Sequence, residues 1–176
     1  MTVSDTRSDE ELRRWLLDTA EQYGAAVVQV DGVEADGTGD PGAAPFAFTV
    51  GAWRRAGVPE AVVIGLPPEV AQAVLNTYVA RAGAGERFRP GESYDGFLEG
   101  CPVTFERVAA QFYPEYFGHA FLVYRTGQFA AVQILVSAPD GSWPWQEDAP
   151  GGFARWQPVL TDSGAPESWV PGVDGP

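Results

Sequence analysis

The sequence predicts an α+β fold, a single domain with a mostly antiparallel or mixed β-sheet and about three flanking helices. Three observations carry this. Short apolar, β-branched runs recur along the chain. Loops rather than regular crossover helices separate most of them, and only a few stretches have helical spacing. The chain is 176 residues long, within the ~100–200 of one domain, and shows no internal repeat. Residues 1–160 are expected to form the globular unit. Residues 161–176, at a chain end where order is usually lowest, are expected to form a flexible tail.

The first helix starts at a capping box, Ser8 with Glu11, and continues through Leu12, Trp15, Leu16, Ala20 and Tyr23 to a stop at Gly24. Ala25 to Val30 reads as a strand because Val27, Val28 and Val30 are β-branched. A glycine- and proline-rich loop follows to Pro45. Phe46 to Val50 is a second strand. Ala61 to Leu66 is a third, apolar on both faces, as a centrally placed strand requires. Pro67-Pro68-Glu69 suits the first turn of a second helix, whose face is Val70, Val74, Leu75 and Tyr78 and whose end is Gly83. A turn-rich stretch runs to Gly100, and Val103 to Val108 alternates like a half-exposed strand. Ala109 to Phe117 reads as a short helix or a turn, interrupted by Pro114. Ala120 to Arg125 and Phe129 to Ser137 are expected to pair as a hairpin about Thr126-Gly127-Gln128.

Composition excludes several chemistries. The chain has 11 basic and 24 acidic residues, a net charge of −13, with arginine as its only long-chain base. Without lysine there is no Schiff base, pyridoxal-phosphate anchor or phosphate-loop lysine. One cysteine, Cys101, and one histidine, His119, cannot make a Cys/His zinc site or an intramolecular disulfide. No metal or other cofactor is expected. So acidic a chain, with few clustered cations, is a poor binder of nucleic acid or anionic membranes. No run approaches the ~20 apolar residues of a membrane span. Met1 to Glu11 is polar and acidic, the reverse of a signal peptide, so a cytoplasmic location is expected.

The acidic loop Asp31, Glu34, Asp36, Asp40 lacks the spacing of a calcium-binding loop and reads as solvated. As the lone imidazole, His119 must carry any histidine chemistry. Arg54 and Arg55 lie in an exposed connection and could hold a carboxylate or phosphate. Trp143 and Trp145, with Trp156 and Trp169 beyond, form an aromatic cluster that either anchors a ligand or seals the sheet. Cys101 reads as a core thiol.

Taken jointly, a set of motifs resembles the bacterial family called domain of unknown function 4262. They are Pro45 to Gly51, Pro59-Glu60, Val62 to Glu69, Gly85 to Phe88, Tyr94, Pro102 to Phe105, Tyr116 to Gly118, Tyr124, Gln133, Pro139 to Gly141 and Trp143 to Trp145. The similarity covers about residues 20 to 160. It implies no activity. It implies a histidine immediately before the Pro-Glu pair, where this chain has Val58. The matching polar positions are Thr49, Glu60, Tyr94, Tyr124, Gln133 and Asp140, which either satisfy backbone or face a pocket.

The favoured reading is a small-molecule- or protein-binding accessory module, immunity-like or regulatory, whose acidity suits a basic protein partner. Its stretch from Phe48 to Leu66 is faintly similar to the suppressor-of-fused-like fold of bacterial immunity proteins. Thr49, Arg54, Arg55, Tyr94, Gln133, Trp143 and Trp145 are its expected binding residues. The alternative is an enzyme acting on a small molecule or peptide, with His119, Glu60, Tyr124 and Asp140 as acid/base groups. A flavin-binding split barrel stands third. Oligomeric state is not legible in the sequence.

Overall fold

The computed structural model describes residues 8–34, 37–38 and 42–176. Asp36 and Asp40 of the acidic loop, and residues 1–7 of the polar N-terminus, lie outside them. Six strands form one mixed sheet: β1 (Ala26–Val30), β2 (Phe46–Val50), β3 (Glu60–Ile64), β4 (Ser93–Leu98), β5 (Cys101–Arg107) and β6 (Ala131–Val136). Their order is β1-β2-β3-β6-β5-β4. Only β3 and β6 run parallel; the other neighbours are antiparallel. Every residue of β3 and β6 is buried, which explains the uninterrupted apolar run expected for a central strand. The sequence thus foretells the α+β class correctly. Two helices are long, α1 (Asp9–Tyr23) and α3 (Pro68–Gly83). Three are single turns: α2 (Ala52–Ala56), α4 (Tyr113–Tyr116) and α5 (Phe153–Trp156).

Each long helix covers one face. Leu12 and Leu16 of α1 join Val28, Phe48, Val62, Phe117 and Phe129. On the opposite face Val74, Leu75 and Tyr78 of α3 pack with Val63, Phe105 and Ile134. The α1 cap forms as its sequence requires, with the Glu11 amide donating to Ser8 Oγ at 3.3 Å. Leu16 is fully buried, and its replacement by alanine would cost about 2–5 kcal/mol. Gly24 ends α1 at φ 94°, and a Cβ there would lie 2.9 Å from Val79 Cγ1. The end of α1 therefore lies against the flank of α3.

Two expectations are corrected. Residues 120–125 form no strand, so there is no hairpin about Gly127. Gly118–Leu122 is a 3₁₀ turn, and the strand begins only at Ala131. The cause is aromatic packing: Phe117 meets Phe48, and Phe121 and Tyr124 meet Phe129, folding the segment over the α1 face of the sheet. The turn-rich stretch before Gly100 contains β4, disguised by Gly96 at φ 89° where the register with β5 shifts.

The packed part of the chain also runs past the expected boundary at 160. Trp169 is 4% exposed and donates from Nε1 to the Phe105 carbonyl at 3.2 Å. The buried Glu106 carboxylate accepts from the Glu167 and Ser168 amides and from Ser168 Oγ. These bonds tie the segment expected as a tail to β5. Among the described residues no helix is long and apolar enough to cross a membrane.

Candidate functional site

Glu60, the first residue of β3, is 0% exposed and lies between β2 and α2. Its Oε1 accepts from Thr49 Oγ1 at 2.8 Å and the Ala52 amide at 3.1 Å. Its Oε2 accepts from the Gly51 amide at 2.8 Å, the Trp53 amide at 3.3 Å and Tyr124 Oη at 2.6 Å. Five donors thus converge on one carboxylate. Thr49 Oγ1 in turn accepts from the Ala61 amide at 2.9 Å, and Tyr124 Oη from the Arg54 amide at 3.0 Å. Gly51 permits the turn: its φ is 108°, and a Cβ would lie 2.4 Å from Ala20 Cβ.

Burial pushes the Glu60 carboxyl above its ordinary range, while the Tyr124, Thr49, Gly51 and Trp53 hydrogen bonds pull the other way. Burial, followed by the neighbouring Glu60 charge, raises the Tyr124 phenol, so it keeps its proton as a donor. A general base needs a lone pair aimed at substrate. Those of Glu60 are directed at protein donors, and the group braces α2 and the 118–129 segment against the sheet.

The other acid/base candidates lie elsewhere. His119 stacks on Phe48, centroids 6.3 Å apart, and is not among the donors to Glu60. Burial lowers its pKa, with a smaller opposing pull from Asp9, so the imidazole is neutral at pH 7. Asp140 Oδ1 accepts from the Ser142 amide at 2.9 Å and from Ser142 Oγ at 2.5 Å, closing the turn after β6. Those bonds hold Asp140 below the usual carboxylate range.

Of the expected binding residues, Thr49 belongs to the Glu60 cluster. Gln133 is buried and clamps the chain after α5, donating to the Pro158 carbonyl at 2.7 Å and accepting from the Leu160 amide at 2.9 Å. Tyr94 Oη accepts from the Arg89 amide at 2.7 Å and donates to Glu92 at 2.9 Å. Trp143 and Trp145 stack at 5.4 Å, Trp145 meets Trp169 edge-on at 4.9 Å, and Trp145 Nε1 donates to the Pro176 carbonyl at 3.2 Å, so the indoles pack on one another and on the C-terminal segment. Cys101 is a half-buried thiol at the start of β5. Arg54 and Arg55 are exposed on α2, where Arg55 Nη1 lies 3.2 Å from Glu21 Oε1.

Arg55 also borders a feature the sequence does not disclose. A cleft of about 940 Å³ opens between α1 and α3 beside the start of β1. Ala25, Val27, Ala52, Val58 and Val79 give it an apolar floor; Thr19, Gln22, Gln72 and Asn76 are its polar wall groups. Val58 stands on that floor at the position where the family resemblance implies histidine. The one available signal was Gln72 and Asn76, a polar pair four residues apart on α3, joined by a 3.1 Å hydrogen bond. Among the described residues no three His, Cys, Asp or Glu side chains gather as a metal site.

The fold and its site define a single mixed-sheet α+β domain with a carboxylate-braced turn beside an open interhelical cleft. The family described as Domain of unknown function (DUF4262) matches residues 19–150, and the chain belongs to it. No curated protein and no solved structure matches it.

Proposed function

We propose that this protein is a cytoplasmic binding module, an accessory or regulatory protein that holds a ligand or partner segment in the cleft between α1 and α3. The observation that supports it is the cleft itself. Its volume of about 940 Å³ lies within the roughly 300–1,000 Å³ of ligand pockets. It combines a valine and alanine floor with a few hydroxyl, amide and guanidinium groups, the mixture that gives affinity and orientation together. The acid/base alternative draws less support, because Glu60 and Tyr124 spend their polar atoms on each other and on backbone, and His119 lies on an aromatic ring.

Saturation-transfer NMR against a fragment library tests the reading. Val79 is half-buried on the cleft floor, against the end of α1 at Gly24, so Val79→Trp fills the space between the two helices. Fragments that bind the wild-type chain are expected to lose their signal in the variant, with the circular dichroism spectrum preserved. Fragments that bind both equally, or that are lost in His119→Ala instead, would reject the cleft.

A further inference from the structure

We infer that the outer edge of β1 accepts an extended, basic segment of a partner protein as a seventh strand. The inference rests on the cleft reading above and names the occupant. Three independent features support it. First, β1 is the terminal strand of the sheet, and among the described residues it pairs only with β2. An edge strand presents a row of amides and carbonyls at the spacing of another chain, a template for strand addition. The cleft gives access to this edge, since Gly24, Ala25 and Val27 line it. Helices α1 and α3 cover opposite faces of the sheet, so the edge of β1 lies between them.

Second, exposed apolar side chains bracket the strand. Tyr23, just before β1, is 68% exposed, and Val33, just after it, is 61% exposed. Their positions suit contact with alternate side chains of an added strand.

Third, the rim is acidic. On α1, Glu11 and Asp18 are exposed and follow the same helical stripe as the cleft residues Trp15 and Gln22. On α3, the exposed Glu69 is in line with Gln72 and Asn76. Asp31 and Glu34 are exposed beyond the end of β1. Two positive groups oppose this: Arg55, the one charged side chain lining the cleft among the described residues, is paired with Glu21, and the exposed Arg14 is a neighbour of both Glu11 and Asp18 on α1, a single cation against these five carboxylates. Lysine or arginine side chains on an added strand would meet carboxylates from both helices. A second copy is a poorer occupant, because each copy carries a charge of −13.

The test uses the full chain and three peptides: acetyl-(Lys-Val)₄-amide, the same peptide N-methylated at alternate residues, and acetyl-(Glu-Val)₄-amide. Binding is followed by calorimetry at physiological salt, and the contact by amide hydrogen exchange. The Lys-Val peptide is expected to bind and to slow exchange within residues 24–30. N-methylation keeps charge and side chains but removes backbone donors, so it should weaken binding at least about tenfold. The Glu-Val peptide should be weaker by a similar factor, and Asp18→Arg with Glu69→Arg should weaken the Lys-Val complex about tenfold.

Equal binding of the N-methylated peptide would reduce the effect to charge attraction and overturn the inference. So would protection elsewhere in the chain, no binding at all, or concentration-dependent dimers that protect β1 without peptide. If the peptides fail while Val79→Trp still abolishes fragment binding, strand addition falls and the cleft reading survives. If fragments too are indifferent to Val79→Trp, both fall.

Discussion

The Glu60 cluster and the α1–α3 cleft share the short helix α2 but treat their polar groups in opposite ways. On the cluster side, one carboxylate gathers the Gly51, Ala52 and Trp53 amides with the Thr49 and Tyr124 hydroxyls, sealed from water. On the cleft side, Arg55 is exposed and Thr19, Gln22, Gln72 and Asn76 border about 940 Å³ of open space. A buried polar group with every partner inside the protein rigidifies the fold and has nothing left to offer a ligand. Gln72 with Asn76 and Arg55 with Glu21 also pair within the protein, but those bonds are exposed and leave the amides and the guanidinium further donors. Polar residue type alone is thus a poor guide to function; where the second partner comes from decides it.

The contrast can be broken most forcefully at Glu60. Glu60→Ala leaves five donors without their acceptor, and a loss of about 3–5 kcal/mol is expected in urea melts. A loss under about 1 kcal/mol would mean the cluster is no brace. Tyr124→Phe keeps the ring on Phe129 but removes one charged hydrogen bond and the acceptor of the Arg54 amide; about 1.5–3 kcal/mol should go. Thermal melts of this variant against the parent measure it.

The pH dependence sharpens the same point. Folding raises the Glu60 pKa above its ordinary 4.5. The folded chain therefore binds that proton more tightly than the unfolded one. Its contribution is fully present below pH 4.5 and is lost as pH climbs through the raised folded value. Wild type should lose stability relative to Glu60→Gln over that window, by up to about 1.4 kcal/mol per pH unit. A flat difference across the window would deny that burial dominates at Glu60. The smallest effect is expected at the cleft rim. Arg55→Ala breaks an exposed ion pair and should change stability by only about 0–1 kcal/mol. A larger shift in chemical denaturation would make Arg55 part of the brace.

Much of the fold was legible because local signals agreed with tertiary needs. Ser8 and Gly24 bound α1, Pro68 and Gly83 bound α3, and the unbroken apolar run after Glu60 marked the buried centre of the sheet. Legibility failed where packing overrode pattern. Phe121 and Tyr124 sit in a run that reads as a strand, yet Phe129 and Glu60 draw them into turns. Gly96 hid β4, since a glycine inside a strand reads as a break. Among candidate residues, Thr49, Glu60 and Tyr124 do meet, a grouping that sequence separation conceals. His119, Asp140, Gln133 and Tyr94 serve separate parts of the fold. The cleft was not legible because its walls come from α1, β1, α2 and α3, and each contributes ordinary residues.

Amide chemical-shift mapping of the full chain with a bound fragment or the Lys-Val peptide tests the central claim most directly. The account predicts shifts concentrated on the cleft-facing stripe of α1, the start of β1 and the Gln72–Val79 flank of α3, with Tyr124 and His119 unmoved. Shifts centred on Tyr124, or on His119 and Phe48, would contradict it and return the acid/base reading to the front.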